Sequence, residues 1–175
     1  MKNKILKITQ LGQPVLRQPS KPVPLPLSRV HDRLIDDMIR AMKKAKGVGI
    51  AAPQVGIGLQ LFIVAPEPSV RYPKAPTMPP VAMINPRLVK HSTKIVTDWE
   101  GCLSIPGLRA RVPRYHSLEI EFTDRKGRRL VGKLSGFVAR IFQHEFDHIH
   151  GNVYLDRVRD TRTFMTEAEF RKRRS

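Results

Sequence analysis

The chain has 175 residues, enough for one domain with a buried core, and 32 Lys and Arg against 15 Asp and Glu leave a formal net charge of +17. Apolar residues at 41% and charged residues at 27% exclude a disordered chain, a single cysteine excludes an intramolecular disulfide, and no apolar run nears the roughly 20 residues that cross a bilayer. The charge predicts attraction to polyanions, but aromatics at 6% and the lack of an RNP, KH or zinc-finger pattern argue against sequence-specific nucleic-acid reading.

The basic start, Met1-Lys-Asn-Lys, has neither a signal-peptide apolar core nor a transit-peptide pattern after it. Residues 1–27 are punctuated by proline and predict an extended lead with a short turn at Val15–Arg17. Ser28 reads as an N-cap. Val30, Leu34, Met38, Ala41, Met42 and Ala45 follow at helical spacing, and Gly47 stops the helix behind Lys43, Lys44 and Lys46. A glycine-rich stretch, 47–58, precedes a short apolar strand at Leu59–Ala65, and six prolines mark 66–80 as a surface loop. Val81–Lys90 and Lys94–Thr97 read as strands. Ser117–Ser135 reads as a hairpin, because Leu118, Ile120 and Phe122 alternate before a turn at Asp124–Gly127. A second helix runs from Phe137 to His150 and is closed by Gly151. Thr166 and Glu169 form a capping box for a short basic C-terminal helix. The absence of a βαβ rhythm predicts an α+β fold. We expect one domain over 1–165 and a basic helix or tail over 166–175.

The second helix contains His144-Glu145-Phe146-Asp147-His148, an H-E-x-x-H pattern. Residues i and i+4 lie one turn apart on one helix face, so both imidazoles can reach a single metal ion. Glu145 stands about 100° around the helix from His144, placed for proton transfer and not for ligation. Phe137, Ile141, His144 and His148 share a stripe that faces inward, where two histidines need partners. A catalytic site of this kind needs a third ligand and an open position. Tyr154 stands where a metzincin would carry histidine, and His150 points away from the ligand face. Asp156, Asp160 and Cys102 remain as candidates.

Three stretches together resemble the peptide deformylase family. They are Gly47-Val-Gly49-Ile-Ala-Ala-Pro-Gln54, Glu100-Gly-Cys102-Leu103-Ser104, and Gln143-His144-Glu145-Phe-Asp-His148, in the family's order and spacing. The resemblance spans about Ile5 to Arg159. It implies antiparallel strands around a central helix that bears the two histidines. It implies Fe(II) on Cys102, His144 and His148, with zinc, nickel or cobalt able to replace it in preparations. The implied reaction is hydrolysis of the N-formyl group from the initiator methionine of nascent polypeptides, with release of formate. Water activated by the metal would attack the formyl carbon, with Glu145 as general base and then acid. Gln54 and the backbone N–H of Leu103 would hold the oxyanion. Gly49 would let the peptide pair as an added strand, and Val48, Phe137 and Ile141 would wall the methionine pocket. Arg109 would sit near that pocket and pair with Glu100, fixing the Cys102 loop. A thiolate beside Fe(II) implies air-sensitive activity. The stretches 135–141 and 159–165 resemble the family's organellar-type branch. Arg140, which stands where common bacterial members carry an aliphatic residue, either narrows the pocket or faces solvent. The implied partners are formyl-methionyl nascent chains and the ribosome, reached through the basic surface or the C-terminal helix, with no membrane contact. The implied location is the bacterial cytoplasm, or an organelle for a mature organellar form.

Overall fold

A computed structural model describes residues 5–69 and 72–173; the basic start at 1–4 and the last two residues of the tail lie outside them. The elements are α1 (Arg29–Lys44), β1 (Gly49–Ala51), β2 (Leu61–Val64), β3 (Val81–His91), β4 (Ile95–Cys102), β5 (Ile105–Tyr115), β6 (Ser117–Thr123), β7 (Arg129–Ser135), α2 (Gly136–Ile149), β8 (Met165–Thr166) and α3 (Glu167–Lys172). The strands pair antiparallel in two sheets, ordered β1-β2-β3-β6-β7 and β4-β5-β8. This is the α+β arrangement that the sequence predicts.

β1, β2 and the start of β3 are buried without alternation because both faces are covered there, whereas β6 alternates. On one face Ile50, Leu61, Ile63 and Ile84 meet Ile35, Met38 and Met42 of α1. On the other, Ala51, Phe62, Val64 and Met83 meet Ala139 and Phe142 of α2. Phe62 and Phe142 pack edge to face at 5.3 Å. Each such buried side chain contributes about 1.5–3 kcal/mol. A third cluster, Ile105, Ala110, Val112, Val153 and Tyr154, lies beneath the smaller sheet. The helix with the two histidines therefore sits centrally, against the larger sheet and in contact with β5.

Helix ends follow local chemistry. Ser28 is the α1 N-cap residue, but its hydroxyl lies 3.1 Å from His31 Nδ1 and makes no side-chain cap bond. Thr166 Oγ1 accepts from Glu169 N, one half of the expected capping box, while the Glu169 carboxylate pairs with Lys172. Gly151 follows α2 with φ +76, and a Cβ there would stand 2.9 Å from the Arg17 carbonyl. Only glycine allows that turn and the close approach of the N-terminal lead.

The strand reading of Lys94–Thr97 needs extension, since β4 continues to Cys102, paired throughout with β5. The sequence gives little sign of β5. Its inward set, Ala110, Val112 and Arg114, contains an arginine, and Arg111 between them faces outward.

Candidate active site and metal centre

His144 and His148 stand one turn apart on α2, their ring centroids 5.1 Å apart. Cys102 comes from the end of β4, where a bulge and a tight turn lead into β5. Its Sγ lies 3.2 Å from His148 Nε2. One donor atom from each of Cys102, His144 and His148 falls within 4.8 Å of the others. A thiol and two imidazoles so placed fit a borderline-soft divalent ion with a position left open. Asp156 pairs with Arg17 and Asp160 with Arg162, so neither carboxylate joins the group.

His144 Nδ1 lies 3.0 Å from Glu100 Oε2, which leaves Nε2 for an ion. Glu100 is buried and also takes the Arg114 fork, Nε to Oε1 at 2.9 Å and Nη2 to Oε2 at 3.0 Å. Burial alone would push the Glu100 carboxyl up. The Arg114 charge and the hydrogen bonds from His144 and Arg114 outweigh it and hold the group well below the ordinary carboxylate range. Arg114 also reaches Asp147 Oδ2 at 2.6 Å. Burial, together with the charges of His144 and Arg114, drives the His148 pKa well below its ordinary value, so its ring is neutral.

The expected Glu100–Arg109 pair does not form. In the β4–β5 ladder Arg109 stands opposite Gly101, whereas Glu100 stands opposite Ala110. Strand alternation then puts Arg109 on the other face from Glu100 and puts Arg114 on the same face. Arg109 instead pairs through Nε with Glu167, under the ring of Phe170 at 4.4 Å. Arg140 does not face solvent either. It is buried, and its guanidinium bonds Glu100 and two backbone carbonyls.

Gln54 comes from a short 3₁₀ turn, Ala52–Val55. Its Oε1 accepts from Ala51 N at 2.8 Å, which aims Nε2 at Cys102 Sγ and Ser104 Oγ, each 3.3 Å away. The N-terminal lead fixes both loops: Thr9 N donates to Gln54 O, and Leu11 N donates to Ser104 O. Glu145 is 3% exposed and its Oε2 has no partner among the described residues. Burial pushes its pKa up to about 7, against the pull of the His144 charge.

These groups surround a cavity of about 280 Å³. Val48, Gly49, Gln54, Cys102, Leu103, Arg109, Phe137, Ile141, His144 and Glu145 all line it, while His148 lies fully buried. Sequence reasoning did not find Arg114, Tyr72, Trp99 or Glu167, and it marked Ser104 only as the end of the Cys102 motif. Reading 105–115 as a strand would have placed Arg114 inward with Ala110 and Val112. Nothing in the sequence marks Tyr72, which leaves the proline-rich loop to pack against Phe137 at 5.0 Å.

A helix with two imidazoles one turn apart, a thiol brought beside them by a strand end, and a buried carboxylate at the floor of a cavity define a metal-dependent hydrolase. The chain belongs to the polypeptide deformylase family, which residues 5–164 match. It is 51% identical to peptide deformylase 2 of Nostoc sp., over 98% of this chain and 96% of that protein. It is 43% identical to peptide deformylase 1 of Bordetella pertussis, over 90% and 89%. Among solved structures it is similar to a Met-Ala-Ser-bound class I type b peptide deformylase from Acinetobacter baumannii, with a TM-score of 0.87 and 36% identity over 89% of this chain and 99% of that one. A peptide deformylase from Synechococcus elongatus in complex with actinonin gives a TM-score of 0.81 at 35% identity, over 90% and 81%.

Proposed function

We propose that this chain hydrolyses the N-formyl group from the initiator methionine of nascent polypeptides and releases formate. The observation that carries this reading is the convergence of Cys102, His144 and His148 donor atoms beside the unpartnered Glu145 carboxylate. Cys102, His144 and His148 would hold the ion, and Fe(II) is the one we assign, with zinc, nickel or cobalt as substitutes. Bound there, a divalent ion supplies Lewis-acid chemistry, polarising the formyl carbonyl and acidifying water.

The protein's own groups do the rest. Glu145, buried and with its Oε2 unpartnered among the described residues, can take a proton from the attacking water and return it to the departing amine. Gln54 Nε2 and the Leu103 N–H donate to the oxygen on which negative charge develops, and preorganised donors of this kind are worth about 3–4 kcal/mol each. The edge strand β1 leaves one side of Gly49 open to the cavity, where a peptide can pair as an added strand. Val48, Phe137 and Ile141 give the methionine side chain an apolar wall.

Residues 1–165 serve in this reading as the catalytic domain and 166–175 as a basic tail whose first residues join it, Thr166 pairing with Leu108 in the smaller sheet and Glu167 with Arg109 at the cavity. Helix α3 is seated on the domain through Phe170, which packs on Trp99 at 5.3 Å. Arg171 and Lys172, with Arg173 at the helix end, are exposed and suit a polyanionic ribosomal surface. No helix of the described residues is long and apolar enough to cross a membrane. The named relatives are bacterial, which supports a bacterial cytoplasmic location.

The test is formate release from a formyl-methionyl peptide by Fe(II)-loaded protein kept anaerobic, beside a Glu145→Ala variant. Turnover by the parent and its loss in a variant that still holds metal is the expected result. Full metal content without turnover in the parent would overturn the reading.

A further inference from the structure

Arg140 has no part in the chemistry above, yet it is 7% exposed beside the metal centre. It lies on α2 one turn before His144. Its Nη1 donates to Glu100 Oε1 at 2.8 Å and to Val112 O at 2.9 Å, and its Nη2 donates to Val96 O at 2.7 Å. One side chain thus ties α2, which carries both histidines, to both strands of the β4–β5 hairpin, whose tip carries Cys102.

Glu100 completes the link. Its Oε1 takes Arg140 from α2, and its Oε2 takes His144 from the same helix, 3.0 Å away. The Arg114 fork grips both oxygens from β5. A fork from one strand fixes the carboxylate to that strand. Arg114 reaches α2 only through Asp147, at 2.6 Å, whereas Arg140 bonds the carboxylate from α2 directly, so the imidazole meets an acceptor that is already held from strand and helix.

We propose that Arg140 is a positioning residue for the metal centre. It locks Glu100, and through it the His144 ring, so that His144 Nε2 faces Cys102 and His148, and it sets the distance between α2 and the Cys102 loop. The proposal rests on the ligand reading of Cys102, His144 and His148.

Cobalt(II) is the probe. Metal-free protein is titrated with Co(II) while the thiolate-to-cobalt charge-transfer band and the visible d–d bands are followed. Thermal midpoints of the metal-free proteins are recorded in parallel. Arg140→Met is expected to bind Co(II) about 10- to 100-fold more weakly, with shifted d–d bands. Arg140→Lys keeps one charged donor and should recover part of the affinity. Cavities lie on both sides of Arg140, so millimolar methylguanidinium should enter the vacated space and restore binding to Arg140→Met. Should Arg140→Met fail to fold, Arg140→Lys carries the same titration.

Wild-type Co(II) affinity and spectrum in the folded Arg140 variants would overturn the proposal, even with a lowered midpoint, because Arg140 would then be a structural tie alone. A parent spectrum lacking the charge-transfer band and unchanged by Cys102→Ser would overturn the ligand reading itself, and the proposal with it. The band separates the two failures.

Discussion

Gly49 offers the sharpest test of the site's geometry. A Cβ at this position would stand 2.5 Å from Glu145 Oε1 and 2.9 Å from Ile141 Cγ2. Ordinary contact begins at 3.4 Å, so Gly49→Ala must push the Glu145 carboxylate back by about 0.9 Å. Both clashing atoms are side-chain ends that can yield, so the fold should survive with a small drop in melting temperature. Catalysis should not survive as well, since a displacement of about 1 Å at a reacting group costs about 100-fold. That corresponds to about 2.7 kcal/mol in the barrier. The assay is kcat/KM for formate release, coupled to formate dehydrogenase, with metal content measured on the same samples. Gly58→Ala, where a Cβ meets nothing within 4 Å, is the control and should stay within about twofold of the parent. A Gly49→Ala protein with full metal and kcat/KM within about threefold of the parent would refute the placement of Glu145 against β1.

Two further outcomes follow from the charges. The Glu145 pKa is raised by burial from 4.5 to about 7, so the folded metal-free protein holds a proton that the unfolded chain releases. The resulting stability is complete below about pH 4.5 and is lost as pH rises through 7, a total of about 3 kcal/mol. Glu145→Gln keeps the neutral form at every pH, so denaturant titrations of metal-free protein should coincide with the parent near pH 4.5 and show the variant more stable by that amount above pH 8; parallel curves would sink the assignment. Reversing Lys172 and Arg173 to glutamate leaves Phe170 and the Arg171–Glu167 pair in place and should weaken co-sedimentation with ribosomes at low salt while sparing peptide turnover. Unchanged co-sedimentation would remove the ribosome contact.

The elements legible in the sequence are those whose signals are local. The 3.6-residue stripe of α1, the alternation of β6 and the Thr166 cap on Glu169 N each lie within a few residues of chain and required no knowledge of partners. The H-E-x-x-H spacing belongs to the same class, because helix geometry alone brings its two imidazoles to one face. β5 was obscured because a strand buried at one end beside a charged network need not be apolar; its inward Arg114 answers Glu100 and Asp147, 14 and 33 residues away.

The choice of partners was a different matter. From the sequence, Arg109 was the expected partner of Glu100, and nothing marked Arg114. The antiparallel register decided between them, because one residue of offset flips a side chain to the opposite face. Arg140 is likewise ambiguous on a helix drawn alone and unambiguous once Val96, Glu100 and Val112 surround its guanidinium. The sequence by itself determined the fold class, the helix that bears the two histidines and the family to which the chemistry belongs, since those are written in short-range spacing and contiguous motifs. Only the tertiary structure decided which cations neutralise the buried Glu100 and how the lead, the hairpin tip and α2 close around Cys102, because those outcomes depend on strand register and on contacts between residues far apart in the chain.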